Sequence, residues 1–490
     1  MISEKLQKVR KFEKEALNHV DMSGRPAFHL TGAVGWINDP NGFSVYKGEY
    51  HLFYQYHPYS RSWGPMHWGH VKTNDFVRWE RLPAALAPDE GYDAYGCFSG
   101  TAMETEDGKH LLMYTGVIAE NGTLLQQQCV AVGDGTEYTK YENNPVISAW
   151  ELPADINPCD FRDPKIWKES NGKYYMAAGA RHMKEGGVIL LYSSEDTHHW
   201  KYEGILDSSR NQYGQMWECP DLFEMDGKRV VVFSPCEMTS IGLEFHPGHN
   251  TAALIGTFDP ETSNFHREAI HALDYGLDFY APQTLLSTDG RRILIAWMQN
   301  WAAQTCRAEG HDFFGMMTLP RELTMKNGRI YQVPVREINN YRKNHVWYNN
   351  VYVREEMNLQ NVSGRCVDIE MHIKPVRKES YRRFVVSVAM DGQNRTTIRY
   401  NPYKQTVKID RSRSGFPFDI VNSREFYVTD RGGEIDFRII LDKYSVELFV
   451  NDGEQTSTCV IYTNLNAESI SFACEGEAIM DIDKYDLVID

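Results

Sequence analysis

The chain has 490 residues, a net charge of −16 and 42% hydrophobic residues, enough to bury a large core in two domains. That acidity argues against nucleic acid, an anionic membrane surface or a polyanionic substrate as partner, and leaves a small neutral or singly charged molecule open. The nine cysteines are scattered without a C-x-x-C pair, so neither a disulfide framework nor a zinc knuckle is indicated, and reduced thiols are expected.

Residues 4–20 read as a short charged helix, with Leu6, Val9, Phe12, Leu17 and Val20 partly on one side. It is expected to pack on the body of the protein and not on a membrane. No apolar signal core stands at the N-terminus and no run is long enough to span a bilayer, so a cytoplasmic protein is expected.

Past residue 30 the helical period gives way to short alternating or apolar runs separated by Gly, Asp and Asn. One hairpin recurs five times: an entry residue, an apolar strand, a turn ending in Gly, and a second strand rich in aromatics and aliphatics. The turn glycines are Gly48, Gly108, Gly172, Gly227 and Gly290, 55 to 64 residues apart. That interval holds about four short strands, as in a propeller blade. A further turn repeats between Asp75-Phe76-Val77-Arg78-Trp79 and Asp196-Thr197-His198-His199-Trp200. The reading is an all-β, five-bladed β-propeller; an irregular β-sandwich with chance Asp-Gly turns is the alternative.

Counting nine residues back from the turn glycines gives Asp39, Ser99, Asp163, Glu218 and Ala281. Equivalent positions of successive blades ring the axis at one height, so three carboxylates should meet at one end of the channel. Crowded carboxylates split one another's proton affinities, which suits glycoside hydrolysis: one acid protonates the departing oxygen and another attacks or stabilises the anomeric carbon. Calcium ligation and strand capping are the bland alternatives, but the Asp-x-Asp runs of a calcium site are missing from the sequence.

Three motifs then carry a resemblance. Trp36-Ile37-Asn38-Asp39-Pro40-Asn41-Gly42, Phe161-Arg162-Asp163-Pro164 and Trp217-Glu218-Cys219-Pro220 are similar, in order, to the signatures of glycoside hydrolase family 32, the invertase and fructosidase family. Phe53-Tyr54-Gln55-Tyr56, Trp63-Gly64-Pro65-Met66-His67-Trp68-Gly69-His70, Phe98-Ser99-Gly100 and Asp278-Phe279-Tyr280-Ala281-Pro282-Gln283 match secondary signatures. The resemblance implies a five-bladed propeller followed by a β-sandwich, and a retaining hydrolase acting on β-fructofuranosides. It makes Asp39 the nucleophile, Glu218 the general acid/base and Asp163 the transition-state stabiliser, with a separation of about 5 to 5.5 Å between the Asp39 and Glu218 carboxyls.

Around them, Asn38 and Gln55 are expected to bond sugar hydroxyls, and Trp63, Phe98, Tyr280 and Trp297 to offer aromatic faces. Ser99 should face the same pocket, and Arg162 should hold a carboxylate and lower its pKa. Cys219 either tunes the acid or is a structural thiol. His198-His199 reads as a loop pair, so no metal and no cofactor are expected. Arg61, Arg181, His182 and Lys184 are candidates for a substrate phosphate.

Asn339-Asn340-Tyr341-Arg342-Lys343-Asn344 reads as a polar linker. Beyond it, period-two runs such as 366–373, 384–388 and 444–450 predict a β-sandwich. The expected organisation is a helical segment over 1–25, a propeller over 26–338 and a sandwich over 345–490, acting on a small sugar as a monomer or homodimer. A fructosyltransferase with the same triad, a non-catalytic fructan-binding propeller and an arabinan-cleaving propeller are the competing readings. The substrate is left open between sucrose, sucrose 6-phosphate and short fructooligosaccharides.

Overall fold

The structure is a computed structural model that describes residues 2–304, 310–416 and 420–489; Cys306, one of the nine cysteines counted above, lies outside the described residues. The first helix spans Glu4–Leu17, with the Ser3 side chain accepting from the Leu6 N–H as its N-cap. Its buried face is Leu6, Val9 and Glu13, whereas Phe12 and Leu17 are exposed and Val20 lies beyond the helix end. Polar contacts therefore complete the seat that the apolar pattern began. Arg10 Nε donates to the Ala84 carbonyl at 2.9 Å, and its Nη1 reaches Glu137 at 2.8 Å.

Five sheets follow, each containing a four-stranded meander whose first strand lies nearest the axis. The inner strands are Gly35–Tyr46, Gly96–Glu104, Ile156–Lys168, Met216–Met225 and Tyr280–Leu286, blades 1 to 5. Each packs against the next, and the fifth packs against the first. The ring is fastened by two residues after blade 5's second strand: Phe313–Phe314 pair in parallel with Gly35 and Trp36 of blade 1. The repeated turns at Asp75 and Asp196 are real equivalents. Phe76 (φ 59°) and Thr197 (φ 67°) take the same left-handed step, and each aspartate accepts two N–H groups of its own turn. His199 is exposed and pairs with Asp196, so this histidine pair is part of a turn.

The sandwich has a six-stranded and a five-stranded sheet. Residues 339–344 are not a free linker: a 3-10 turn over Arg336–Tyr341 runs straight into the strand Arg342–Val353, which pairs with the C-terminal strand Ala478–Leu487. Ile338 anchors that turn in the core.

The two domains meet through buried charge. Arg321 of blade 5 donates to Asp274 at 3.0 Å and to Glu447 of the sandwich at 2.6 Å, with all three side chains fully buried. The segment before blade 5 adds backbone pairing: Tyr275 N–H donates to Thr456 and Leu277 N–H to Thr458. Gly276 sits between them because a Cβ there would stand 2.1 Å from the Thr458 backbone. His29 bridges Asp442 and Glu447 at 2.8 Å each.

Buried neutral histidines set an acid limit. Burial pushes His67 down to about 4, and His110 and His271 down to about 3, while His70 is held well below its ordinary value. Each must stay neutral in the folded state yet would take a proton in the unfolded chain. Their stabilisation is thus present above about pH 6.5 and lost as pH falls toward 4 to 3, at about 1.4 kcal/mol per group per pH unit. For His29, burial alone would depress the pKa, but Asp442 and Glu447 outweigh it and raise it to about 9, so its contribution persists in acid and fades between about pH 6.5 and 9. Urea midpoints at pH 7, 6 and 5 are expected to drop steeply, and His110→Gln should flatten that slope. A midpoint independent of pH over this range would refute the assignment.

Candidate active site

Every inner strand breaks its ladder near the same level. Register shifts fall between Ile37 and Pro40, Phe98 and Gly100, Arg162 and Lys165, Glu218 and Asp221, and Tyr280 and Gln283. A bulge bends the strand and re-aims its side chains, here toward the axis. Asp163 (φ 62°), Cys219 (φ 49°) and Ala281 (φ 52°) each hold a left-handed backbone immediately before a proline, a conformation that costs about 1 to 3 kcal/mol. Neighbouring blades brace it. Asp163 N–H donates to Thr115 Oγ1, Cys219 N–H to Asp163 Oδ2, and Ala281 N–H to Ser234 Oγ, at 2.9 to 3.0 Å.

This pattern corrects the count from the turn glycines. Blade 4 has a two-residue turn and a single bulge, so its in-phase residue is Cys219, one place after Glu218. Glu218 instead shares the step of Arg162 and Tyr280, each just before the left-handed residue of its own blade, and it meets both. Arg162 Nε and Nη2 donate to Glu218 Oε1 at 3.0 and 2.7 Å. Tyr280 Oη and Cys236 Sγ donate to Oε2, the latter at 2.8 Å. Asp39 accepts from Ser99 Oγ at 2.6 Å, and its Oδ1 has no partner among the described residues. Cys219 Sγ lies 3.6 Å from Asp39 Oδ2 and 3.4 Å from Asp163 Oδ2.

The three acids open into a cavity of about 400 Å³ lined by Asn38, Gln55, Trp63, Phe98, Ser99 and Arg162. Gln126, Asp160, Trp301, Gln304, Leu124 and Cys159 complete the wall. Family models for the "Glycosyl hydrolases family 32 N-terminal domain" and "Glycosyl hydrolases family 32 C terminal" match residues 29–334 and 337–486. The chain belongs to glycoside hydrolase family 32.

Among family 32 proteins, a sucrose-6-phosphate hydrolase of Zymomonas mobilis is 35% identical over 481 residues, covering 93% of this chain and 90% of that one. Raffinose invertase of Escherichia coli is 35% identical over 471 residues, covering 93% of each. A family 32 β-fructofuranosidase of Bombyx mori superposes with a TM-score of 0.85 at 32% identity over 98% of both chains. A variant of that enzyme has been solved in complex with sucrose.

Two expectations about the family 32 pocket need correction. Trp297 is fully buried and offers no face to the cavity; it backs Trp301, 5.0 Å away, and Trp301 takes the place at the wall. Tyr280 is also buried, with its hydroxyl on Glu218, so it supports the acid and does not stack on a sugar. Asn38, Gln55, Ser99 and Arg162 line the cavity. Trp36 Nε1 donates to Asn38 Oδ1 at 2.8 Å, which leaves the Asn38 amide N–H groups for another acceptor. Gln55 Nε2 donates to the Cys97 carbonyl at 3.0 Å, leaving its Oε1 as acceptor. Cys219 is buried, with its Sγ against both aspartates.

Sequence reasoning missed Asp160, Gln126 and Cys236. Asp160 and Gln126 accept from Arg162 Nη1 at 2.9 and 3.2 Å and so fix the guanidinium that holds Glu218. Asp160 stands two residues before Arg162, just outside the motif Phe161-Arg162-Asp163-Pro164. Cys236 lies on the partner strand of blade 4, and nothing in the sequence marked it.

The electrostatics follow from these contacts. Burial would raise Glu218, but Arg162, Cys236 and Tyr280 outweigh it and hold it down to about 2. Burial pushes Asp163 up to about 7, opposed by Arg162 and reinforced by the charges of Glu218 and Asp39. Asp39 is also raised, first by burial and then by Glu218, against the Ser99 hydrogen bond. Burial and the contacts of Arg162, Cys236 and Tyr280, with a smaller part from mutual repulsion, set the affinities apart, and the proton is favoured on the aspartates.

Proposed function

We propose that this protein is a retaining β-fructofuranosidase that cleaves terminal β-D-fructofuranosyl units from sucrose and short fructooligosaccharides. The observation that carries the reading is the convergence of Asp39, Asp163 and Glu218, from three blades, on one sugar-sized cavity. Asp39 attacks C2 of the fructosyl unit while Glu218 protonates the departing glycosidic oxygen. A covalent fructosyl-enzyme forms on the Asp39 carboxylate. Glu218, now ionised, takes a proton from water, which attacks C2 and releases fructose. Asp163 accepts hydrogen bonds from ring hydroxyls, and these strengthen as C2 gains oxocarbenium character.

In the resting site the proton lies with the aspartates and Glu218 is ionised, so the scheme requires bound sugar to shift that proton. Hydroxyls donating to Asp39 and Asp163 favour their ionised forms. The shared proton then resides on Glu218, where the leaving oxygen needs it. The free site must therefore hold one proton. kcat/KM is expected to fall above about pH 7, as the proton on the aspartate side is lost. Arg162 lowers both Asp163 and Glu218, so Arg162→Gln should move that limb to higher pH. A limb unmoved in this variant would separate Arg162 from the proton economy of the site.

Glu218→Gln is expected to lower kcat on sucrose by about 10²- to 10⁴-fold, the usual worth of a general acid. A fructosyl donor whose leaving group needs no protonation should still react rapidly with Asp39 in this variant. Wild-type turnover of sucrose by Glu218→Gln would dismiss the acid assignment. Proton NMR of the first product should show β-fructofuranose; initial α-anomer would exclude retention.

Among the described residues, the four candidates for a substrate phosphate already have other partners, which supports a substrate without phosphate. Arg181 is paired with Asp160 and Glu237, Lys184 with Asp155, and His182 Nδ1 accepts from the Lys184 and Glu185 N–H groups. Arg61 donates to the His311 carbonyl at 2.7 Å. Initial rates should be at least as high on sucrose as on sucrose 6-phosphate, and the reverse order would overturn this preference. All eight described cysteines are unpaired, which supports a reducing, cytoplasmic setting.

A further inference from the structure

Glu218 belongs to a second grouping that sugar cleavage does not use. Its Oε2 accepts from Cys236 Sγ at 2.8 Å, and ligand atoms of Glu218, Cys236 and His249 all lie within 4.8 Å of one another. The three come from separate segments: the inner strand Met216–Met225, its hairpin partner Lys228–Cys236, and the loop before Ala252–Asp259. The His249 ring packs edge-on against Tyr280 at 5.6 Å, and its Nδ1 is buried with no hydrogen-bond partner among the described residues. An imidazole with an unpartnered buried nitrogen, grouped with a thiol and a carboxylate, offers three ligand types to one cation.

We propose that Glu218, Cys236 and His249 form an inhibitory site for a thiophilic divalent cation such as Zn²⁺ or Cd²⁺. Carboxylate oxygen, thiolate sulfur and imidazole nitrogen are the ligand types such ions take, with water in a fourth position. Hard cations such as Ca²⁺ and Mg²⁺ select all-oxygen sites and are excluded by the thiol. On binding, the Cys236 S–H bond breaks, a metal–sulfur bond forms, and the proton leaves to solvent. The metal then occupies the Glu218 oxygen that the thiol had occupied. A carboxylate held in this way cannot accept and return a proton, so the cation stops turnover without touching the nucleophile.

Asp39, Asp163 and Cys219 also bring ligand atoms within 4.8 Å of one another. That trio has no imidazole, and its thiol is already shared between two carboxylates. It is the poorer host for a borderline or soft ion.

The binding claim is independent of the fructosidase reading, whereas the inhibition rests on it, and one titration separates the two. CdCl₂ is added to the intact enzyme while the ultraviolet cadmium–thiolate band and the sucrose rate are followed in the same samples. The expected result is a band that rises together with inhibition and is reversed by EDTA. Cys236→Ser should remove one equivalent of band. His249→Gln should keep its metal-free rate on sucrose and weaken both band and inhibition by about tenfold or more. Cys219→Ser should keep the band. Band and inhibition unchanged in both Cys236→Ser and His249→Gln would overturn the site. A band that depends on Cys236 while the sucrose rate stays constant would uphold the site and remove Glu218 from the reaction. If Cys236→Ser fails to fold, His249→Gln, on a loop, carries the test alone.

Discussion

Asp39→Asn is expected to lower kcat on sucrose by a factor on the order of 10⁵ or more, the scale at which removal of a catalytic nucleophile is felt. Asparagine is nearly the same shape and can still accept from Ser99, so the pocket should keep its form while losing the atom that bonds C2. The same substitution should leave the protein at least as stable. Asp39 is buried, one of its oxygens has no partner among the described residues, and its charge is opposed by Glu218. Replacing a buried charge of that kind by a neutral amide removes a cost. The measurements are kcat by released glucose, and the midpoint of thermal unfolding. Loss of activity together with a large drop in the unfolding midpoint would mean that Asp39 is a structural cap after all. A retained rate would mean that another group attacks.

The second large effect concerns the joint between the domains. Arg321→Met is expected to destabilise the protein by about 3 to 5 kcal/mol, the usual cost of removing one partner of a buried ion pair. Arg321 is fully buried, donates to Asp274, Glu447, Gln332, Thr456 and Thr458, and lies over the rings of Phe279 and Phe449 at 4.8 and 5.1 Å. Methionine would keep part of the packing and strand two carboxylates. Glu447 would retain the Leu319 N–H and, as its charged partner, His29, which is why the loss should deepen as pH rises toward 9. Combining Arg321→Met with Glu447→Gln and Asp274→Asn should restore a large part of the stability, because the burden is the unpaired charge and not the missing contact. Urea unfolding followed by tryptophan fluorescence reads all three proteins. A single variant with wild-type stability would show that the domains are held by their apolar faces alone.

Much of this molecule was legible before any coordinates. The five hairpins, their turn glycines and the acids at blade entries are local patterns, and local patterns survive in a sequence. Arg162 was expected to depress a carboxylate, and it does so to Glu218. What was not legible depends on contacts between blades. A second bulge in blade 1 and a shorter turn in blade 4 cannot be told apart by counting, so Glu218 was placed in phase when Cys219 holds that position. Trp297 and Trp301 are four residues apart and chemically alike, and only the packing around Trp36 decides which one is wall and which is backing. The direction of the proton split depended on Arg162, Cys236 and Tyr280 converging on Glu218 from three blades, a meeting that no spacing announces.

The left-handed step before proline in blades 3, 4 and 5 carries a further consequence. It is occupied by Asp163, Cys219 and Ala281, so one main-chain shape presents a carboxylate, a thiol and a methyl group to the same axis. One socket form thus carries unlike reagents, and the sockets are tied in sequence, because the Asp163 carboxylate that faces the axis also holds the Cys219 N–H of the next blade.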